Sequence, residues 1–280
     1  MANNYTSIAD LADTIRRNLW RVPSDVSLIV GVPRSGLMAA LMVGEFLHKP
    51  VIDLDGYLRS SAPFVGSRGK HMNTSGNRVL LLDDTVFSGR SIERVKKLIG
   101  TRENVLYGCI YAEGEHATDF VDLYFENNYD PAVKPWHLYE WNILHHGAKL
   151  SEACMFDLDG VLCAEPPDER DTEHYENYIA NATPLIVPTT KIGAIVTYRC
   201  ERYRKVTADW LKRHGVQYNE LFMCQCEHHR SSANAARYKA FGYEQAKWAL
   251  LFVESDPAQA ELIAKTTGKP VFCYSNGKMY

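Results

Sequence analysis

The sequence carries no excess of charge of either sign. Its 31 lysines and arginines nearly balance its 34 aspartates and glutamates, which gives a formal net charge of −3. Each half is balanced as well, with 16 basic and 17 acidic residues in 1–150, and 15 and 17 in 151–280. A protein held to nucleic acid mainly by bulk positive charge needs a clear basic excess. We therefore expect no nucleic-acid binding driven by bulk positive charge. The balanced composition does not exclude a local basic pocket.

The sequence also lacks the segments that direct a chain to or through a membrane. Its first ten residues, MANNYTSIAD, contain neither the basic nor the apolar region of a signal peptide. The longest apolar stretch, residues 37–47, is interrupted by Gly44 and Glu45 and is too short to span a bilayer. The seven cysteines are odd in number and lie mostly in apolar runs, which favours reduced thiols. These features predict a cytoplasmic protein with no membrane partner.

What the sequence does contain is a strand–helix alternation that occurs twice. Apolar runs predict strands at 26–30, 78–82, 105–111, 121–125, 153–156, 192–196, 249–253 and 271–273, and periodicity predicts helices at 8–19, 37–47, 91–99 and 201–214. Ser7 and Asp10 have the spacing of a capping box at the first helix. Continuous apolar runs suit parallel strands covered on both faces. We expect two tandem α/β parallel-sheet domains, residues 1–148 and 149–280.

The first polar cluster follows the apolar run 79–82. Two adjacent carboxylates, Asp83 and Asp84, are followed by a small loop that opens a helix. Ligands of open parallel sheets bind beyond the carboxyl ends of the strands. Loop N–H groups and a helix N-terminus bind phosphate, and paired carboxylates suit ribose hydroxyls, directly or through Mg²⁺. A solvated acidic turn would explain the charges but not the whole order of residues.

This segment closely resembles the PRPP-binding motif of type I phosphoribosyltransferases. The resemblance implies that fold for residues 1–148, with Asp83 and Asp84 on the ribose hydroxyls of PRPP. It places five residues around the 5′-phosphate: Thr85, Val86, Phe87, Ser88 and Gly89. The turn at 30–36 resembles the pyrophosphate loop of the family, which implies a diphosphate site at Arg34, Ser35 and Gly36. In this family a nitrogen nucleophile, usually a nucleobase, displaces pyrophosphate from C1 of Mg-PRPP.

Two further segments of the first domain match regions of the family by position. Residues 55–77 are polar and glycine-containing, as in the flexible catalytic loop, so Arg68 and Lys70 are candidates to close over the diphosphate. A solvated loop is the alternative. The aromatic segment 127–147 occupies the hood position, where Trp136 or Tyr139 would stack on a nucleobase-like molecule. An aromatic packing plug between two domains is the alternative.

The second domain begins with another strand that ends in carboxylates. Asp157 and Asp159 are spaced two apart after the run 153–156. One carboxylate can attack phosphorus while the next protonates the leaving oxygen, with Mg²⁺ screening the repulsion. A calcium loop is excluded because its later ligand positions hold Leu162, Ala164 and Pro166. The string 156–162 resembles the first motif of the haloacid dehalogenase (HAD) superfamily nearly letter for letter.

This second resemblance implies a capless, Rossmann-like HAD fold, because the short stretch between Asp159 and Thr197 leaves no room for a large cap. The implied catalytic residues are Asp157, Asp159, Thr197, Arg199 and Lys239, with Lys247 as a rival for the lysine. The implied magnesium ligands are Asp157, Asp159, Asp256 and Glu254, with Asp256 favoured in the last motif. The run 224–229, CQCEHH, is not a standard zinc set, and we favour a substrate-facing loop there.

Together the motifs predict a bifunctional enzyme. One domain would transfer phosphoribose from PRPP to a nucleobase-like acceptor, and the other would hydrolyse a phosphate monoester through an aspartyl-phosphate, so that the composite product is a nucleoside. Two alternatives remain. The first domain would sense PRPP or a nucleotide and regulate the phosphatase, or the phosphatase would process nucleic-acid ends. The sequence identifies neither the base nor the phosphate substrate. It is compatible with a homo-oligomer.

Overall fold

The structure, a computed structural model, describes residues 5–131, 137–143, 151–166, 172–225 and 231–280. Its contacts divide the chain into two units, Met1–Leu138 and Tyr139–Tyr280. The sequence had placed this division between residues 148 and 149. Each unit contains a mainly parallel sheet with helices, so the α/β class is confirmed. Within the described ranges, no helix has both the length and the apolar character needed to cross a membrane.

The first unit is built on a five-stranded parallel sheet with the order β3-β2-β4-β5-β6. Its strands are β2 (Val26–Gly31), β3 (Val51–Asp53), β4 (Arg78–Val86), β5 (Val105–Ala112) and β6 (Leu123–Asn127). Its helices are α1 (Ile8–Asn18), α2 (Ser35–Leu47), α3 (Leu54–Leu58) and α4 (Arg90–Ile99). Short 3₁₀ segments cover Leu19–Arg21, Gly66–His71 and Ala117–Phe120. The chain leaves this unit through β7 (Leu138–Tyr139), which pairs with β1 (Tyr5–Thr6).

The sequence dictates these elements through caps and apolar faces. Ser7 and Asp10 form the predicted capping box at the start of α1. Helix α4 buries Ile92, Val95 and Ile99 at helical spacing, so one face of the helix lies on the sheet. The centre of β4 is fully buried, as expected for a parallel strand covered on both faces.

Strand β4 extends further than the sequence predicted, to Val86 instead of residue 82. Its ladder with β5 continues to the pair Val86–Ala112, whereas its pairing with β2 stops at Leu82. The two carboxylates therefore belong to the strand and not to the loop that follows it. Because β2 ends earlier, the β2 side of this last stretch is free of strand pairing and faces the start of α2.

The second unit contains a six-stranded sheet with the order β10-β9-β8-β11-β12-β13, in which only the β12–β13 pair is antiparallel. Its strands are β8 (Cys154–Phe156), β9 (Ile192–Cys200), β10 (Tyr218–Cys224), β11 (Leu251–Glu254), β12 (Val271–Cys273) and β13 (Lys278–Met279). Its described helices are α5 (Thr172–Asn181), α6 (Arg204–Arg213), α7 (Ser232–Gln245) and α8 (Pro257–Thr267). Short 3₁₀ segments cover Glu140–Asn142 and Glu201–Tyr203.

The order of these strands decides where the polar residues of the second unit meet. Strand β8 lies between β9 and β11, so the carboxyl ends of three neighbouring strands share one edge. Asp157 directly follows β8, and Glu254 is the last residue of β11. Strand β9 runs longer than predicted and includes Thr197 and Arg199. This edge therefore gathers the residues that the second resemblance singled out.

Candidate functional site

The site of the second unit is centred on a buried lysine. Lys239, on α7, donates hydrogen bonds to Asp157 Oδ2 at 2.7 Å and to Glu254 Oε2 at 2.7 Å. Its third hydrogen bond goes to Gln259 Oε1 at 2.9 Å. An ammonium has three donors, so all of them are used. Lys247, the rival for this role, lies on the exposed surface.

The charged groups in this cluster shift one another's pKa values. Burial raises the pKa of Asp157 well above its ordinary value, and Glu254 adds to the rise while Lys239 opposes it. Burial would lower the pKa of Lys239, but Asp157 and Glu254 outweigh it and hold that pKa above its ordinary value. A cationic Lys239 thus stands between two buried carboxyl groups. When both are ionised the cluster carries an excess negative charge, which suits an additional cation.

Asp159 is held by an arginine from the neighbouring strand. Arg199 donates from Nε to Asp159 Oδ2 at 3.0 Å and from Nη2 to Oδ1 at 2.5 Å, a bidentate pair. The Arg199 side chain is only 1% exposed. Thr197 and Arg199 lie two apart on β9, and side chains at that spacing share one face of a strand. The Thr-x-Arg spacing therefore places the Thr197 hydroxyl and the Arg199 guanidinium on the same face of the strand.

The two carboxylates of the last acidic motif, Glu254 and Asp256, have different structural roles. Glu254 is fully buried and contacts Lys239, while its Oε1 accepts the Ser255 and Asp256 N–H groups. Asp256 instead caps α8, where its Oδ1 accepts the N–H groups of Ala258 and Gln259. Burial acts to raise the pKa of Asp256, but these backbone hydrogen bonds outweigh it and hold the pKa below its ordinary value. The geometry thus places Glu254 beside Asp157, whereas the sequence had favoured Asp256.

The oxygens of this edge fit a magnesium ion. Within the described part of the chain, no group of three His, Cys, Asp or Glu side chains gathers as a metal site. Mg²⁺ is commonly bound by only one or two carboxylates together with water and substrate phosphate. Asp157 and Glu254 supply two carboxylates, both hydrogen-bonded to Lys239, and the carboxylate of Asp159 is paired with Arg199. The backbone carbonyl of Asp159 accepts the Ser255 hydroxyl and keeps a second lone pair for a cation.

The site of the first unit is centred on Asp83, where three elements meet. Its Oδ1 accepts the Asp84 N–H at 3.0 Å, and its Oδ2 accepts the Ser91 hydroxyl from α4 at 3.2 Å. A methyl group built on Gly36, in the first turn of α2, would lie 2.7 Å from Asp83 Oδ1. Only glycine lets α2 approach β4 this closely. Burial first, and the charge of Asp84 second, raise the pKa of Asp83 to about 8.

Two helix N-termini flank these carboxylates. Ser35 is the first residue of α2, and Arg34 precedes it on the exposed surface. Gly89 precedes α4 with a φ of +69°, and a methyl group there would lie 2.3 Å from the Phe120 ring. Such N-termini bind anions through free N–H groups and the helix dipole. The two N-termini near Asp83 can therefore bind anionic groups.

The loop predicted to close over this site lies elsewhere in the structure. The segment Gly66–His71, which contains Lys70, lines a cavity together with Gly44, near the end of α2, and His48, the residue that follows this helix. The next segment is fixed there by a hydrogen bond of 2.7 Å from the Asn73 N–H to the His48 carbonyl. Helix α2 has 13 residues, so its two ends lie about 20 Å apart. The structure does not bring Lys70 to Arg34.

The predicted base-binding residues are only partly described. Trp136 lies outside the described residues. Residues 226–229 of the cysteine- and histidine-rich run 224–229, which was predicted to face the substrate, also lie outside them. Tyr139 is described, but it is 5% exposed and its ring packs 4.8 Å from that of Trp141. Little of the Tyr139 ring is therefore open to a stacked base.

Several residues of these sites gave no signal in the sequence. Ser91 binds Asp83, and Gln259 binds Lys239, yet both are polar residues in the first turns of ordinary helices. Ser255 lies between two acidic residues, and its contacts with Asp159 and Glu165 depend on folding. Ser91 is separated from the helix-opening Gly89 by Arg90, and nothing in this spacing pointed to its contact with Asp83.

Comparisons with known proteins found no matching family model and no matching curated protein. Among solved structures, the chain is similar to purine phosphoribosyltransferase from Pyrococcus horikoshii Ot3, with 19% identity over 49% of this chain and 92% of that one, at a TM-score of 0.34. Helicobacter pylori xanthine-guanine-hypoxanthine phosphoribosyltransferase gives 16% identity over 49% and 91%, at 0.35. A chain of the Pnkp1/Rnl/Hen1 RNA repair complex gives 13% identity over 88% and 94%, at 0.36. At TM-scores this low, the structural similarity supports no conclusion about function.

Proposed function

We propose that the protein is a bifunctional enzyme whose second unit hydrolyses phosphate monoesters and whose first unit transfers phosphoribose from PRPP. The observation that carries the proposal is the buried Lys239 between Asp157 and Glu254, next to an Asp159 that is held by Arg199. A nucleophilic carboxylate, a cation and an oriented second carboxylate are the groups that phosphoryl transfer through an aspartyl-phosphate needs. The second unit then has a capless, Rossmann-like HAD fold.

The chemistry of the second unit follows from the residues. A carboxylate oxygen of Asp157 attacks phosphorus, and the bond to the ester oxygen breaks as Asp159 donates a proton to that oxygen. Lys239 and Thr197 stabilise the charge on the phosphoryl oxygens. Water, deprotonated by Asp159, then attacks the aspartyl-phosphate and releases inorganic phosphate and free Asp157. A magnesium ion held by Asp157, Glu254 and the Asp159 carbonyl would supply charge screening.

The first unit uses carboxylates and helix N-termini for a different reaction. Asp83 and Asp84 hold the ribose hydroxyls, the start of α2 at Ser35 binds the diphosphate, and the loop before α4 binds the 5′-phosphate. A nitrogen of a nucleobase-like acceptor forms the new bond at C1 as the diphosphate leaves with its electron pair, and the proton of that nitrogen is released to solvent. Positioning and stabilisation of the leaving group drive the reaction, so no nucleophilic side chain is needed.

The hydrolase activity is tested with p-nitrophenyl phosphate and Mg²⁺. Asp157→Asn removes the nucleophile and should abolish phosphate release, whereas Asp209→Asn, at an exposed carboxylate paired with Lys205, should leave it unchanged. A panel that adds mononucleotides and the phosphorylated ends of DNA and RNA distinguishes a small-molecule phosphatase from an end-processing enzyme. Full activity in Asp157→Asn would overturn the proposed mechanism.

The transferase activity is tested by screening bases with Mg-PRPP while pyrophosphate and inorganic phosphate are both followed. The double variant Asp83→Asn/Asp84→Asn should release no pyrophosphate. Calorimetric binding of PRPP without turnover on any base would favour a sensing domain over a transferase. Free phosphate that appears only after a base is accepted would indicate that the two sites act in sequence.

A further inference from the structure

Ser255 lies at the centre of a small polar cluster beside Asp159. Its hydroxyl oxygen is 3.0 Å from Glu165 Oε1 and 3.1 Å from the backbone carbonyl oxygen of Asp159. A third acceptor, Glu254 Oε1, is more distant at 3.5 Å. Ser255 is 9% exposed, so this hydroxyl has little access to water. Its hydrogen bonds are therefore made within the protein.

The backbone at Gly160 packs closely against this cluster. Gly160 has a φ of +78°, and a methyl group on it would lie 2.3 Å from Glu165 Oε1 and 2.4 Å from the Ser255 hydroxyl oxygen. The turn is closed by a hydrogen bond from the Gly160 N–H to the Cys163 carbonyl. Glycine at this position lets Glu165 reach Ser255 directly after the first acidic motif.

A hydroxyl group has one hydrogen and can donate it to only one acceptor at a time. Glu165 and the Asp159 carbonyl lie at almost the same distance from Ser255 and compete for that hydrogen. A carboxylate is the stronger acceptor of the two. When Glu165 takes the hydrogen, both lone pairs of the Asp159 carbonyl remain available, whereas a hydrogen bond from Ser255 would use one of the two.

We infer that Glu165 is a positioning residue of the phosphoryl-transfer site: it accepts the Ser255 hydroxyl and thereby leaves the Asp159 carbonyl oxygen open to bind Mg²⁺. The inference rests on the proposed function of the second unit. It also accounts for the carboxylate at position 165, because a residue without a hydroxyl at position 255 would need no competing acceptor. Partial burial, together with the charges of Asp159 and Glu254, raises the pKa of Glu165, which indicates that its carboxyl group lies within electrostatic reach of the site.

Titration calorimetry with MgCl₂ on the full chain tests this role without relying on turnover. In Glu165→Ala the hydroxyl turns to the Asp159 carbonyl, and Mg²⁺ affinity should fall by about 10-fold. Glu165→Gln keeps an acceptor oxygen and should retain most of the affinity. Adding Ser255→Ala to Glu165→Ala removes the competing donor and should restore binding. Glu176→Ala, at an exposed glutamate of α5, is the control for loss of a negative charge.

The outcomes separate the inference from the proposed function. If the unaltered protein neither binds Mg²⁺ nor hydrolyses p-nitrophenyl phosphate, both fail together. If it does both but Glu165→Ala binds Mg²⁺ equally well, only the inference is overturned. Equal losses in Glu165→Gln and Glu165→Ala would assign the effect to charge and contradict the acceptor role. Failure of Ser255→Ala to restore binding, in a variant with an unchanged circular dichroism spectrum, would also contradict it.

Discussion

Lys239 and Glu254 form an ion pair of 2.7 Å in which neither side chain is more than 4% exposed to solvent. A buried pair of this kind costs several kcal/mol of desolvation per ion, and that cost is offset only when all its hydrogen bonds are made. Lys239 meets this condition through Asp157 and Gln259. The pair therefore links the stability of the second unit to its proposed chemistry.

The first prediction concerns this lysine. Lys239→Met leaves two carboxyl groups buried without their cation, so the free energy of unfolding should fall by about 3–5 kcal/mol. Hydrolysis of p-nitrophenyl phosphate should fall to background. Urea denaturation and initial rates measure the two effects. The exposed Lys247→Met should change neither, and an equal loss in both variants would contradict the assignment.

The second prediction concerns the arginine that holds Asp159. A lysine at position 199 cannot form the bidentate pair, so Asp159 should donate its proton less effectively. The rate for alkyl phosphates, whose leaving groups need a proton, should fall by about 10-fold or more in Arg199→Lys. The rate for p-nitrophenyl phosphate, with its weakly basic leaving group, should fall less.

The control for this experiment is Arg204→Lys, because Arg204 forms a surface ion pair with Glu201. It should leave both rates unchanged. The ratio of the two substrates' kcat values is the deciding measurement, since a general loss of folded protein would lower both in proportion. An unchanged ratio in Arg199→Lys would contradict the role of Arg199 in positioning Asp159 as the proton donor.

The third prediction is a pH dependence of stability from Asp83. Its carboxyl group keeps a proton in the folded state up to about pH 8, whereas an unfolded aspartate loses it near pH 4. Between these values the folded state binds more protons, so this group lowers stability as pH rises and its effect levels off above about pH 8. Asp83→Asn removes the effect.

The measurement is urea denaturation of Asp83→Asn and the unaltered protein at about pH 5 and about pH 8. The stability of the variant relative to the parent should increase with pH, by at most about 1.4 kcal/mol per pH unit. Asp122→Asn, at an exposed carboxylate of the same unit, should show no such trend. A pH-independent difference for Asp83→Asn would contradict the shift.

The fourth prediction concerns the close approach of α2 and β4. The methyl group of Gly36→Ala would lie 2.8 Å from Asp83 Cα, so the helix must move away from the carboxylates. Calorimetric binding of Mg-PRPP should be lost or weakened at least 10-fold, about 1.4 kcal/mol. Gly242→Ala, a helix position where the nearest atom is 3.7 Å away, should bind normally and be slightly more stable. Normal binding in Gly36→Ala would argue against a ligand at this edge.

The ends of elements were the weakest part of the prediction from sequence. Strand β4 was expected to stop before its carboxylates, but pairing with β5 continues through Val86. Strands β3 and β10 were not predicted, because the first has only three residues and the second carries exposed polar residues at a sheet edge. Apolar runs report burial, whereas the length of a strand depends on what its neighbours pair with.

The sequence by itself determined the two α/β units and the capping box at Ser7, because these depend on local patterns of apolar and polar side chains. The sequence had ended β9 at residue 196, so the placement of Thr197 and Arg199 on one face of that strand came from the structure. Only the tertiary structure decided that Glu254 rather than Asp256 lies beside Asp157, that Lys239 joins them, and that Glu165 reaches Ser255. These contacts join residues from different strands and helices, and which of two nearby carboxylates enters the site depends on which one the helix N-terminus takes as its cap.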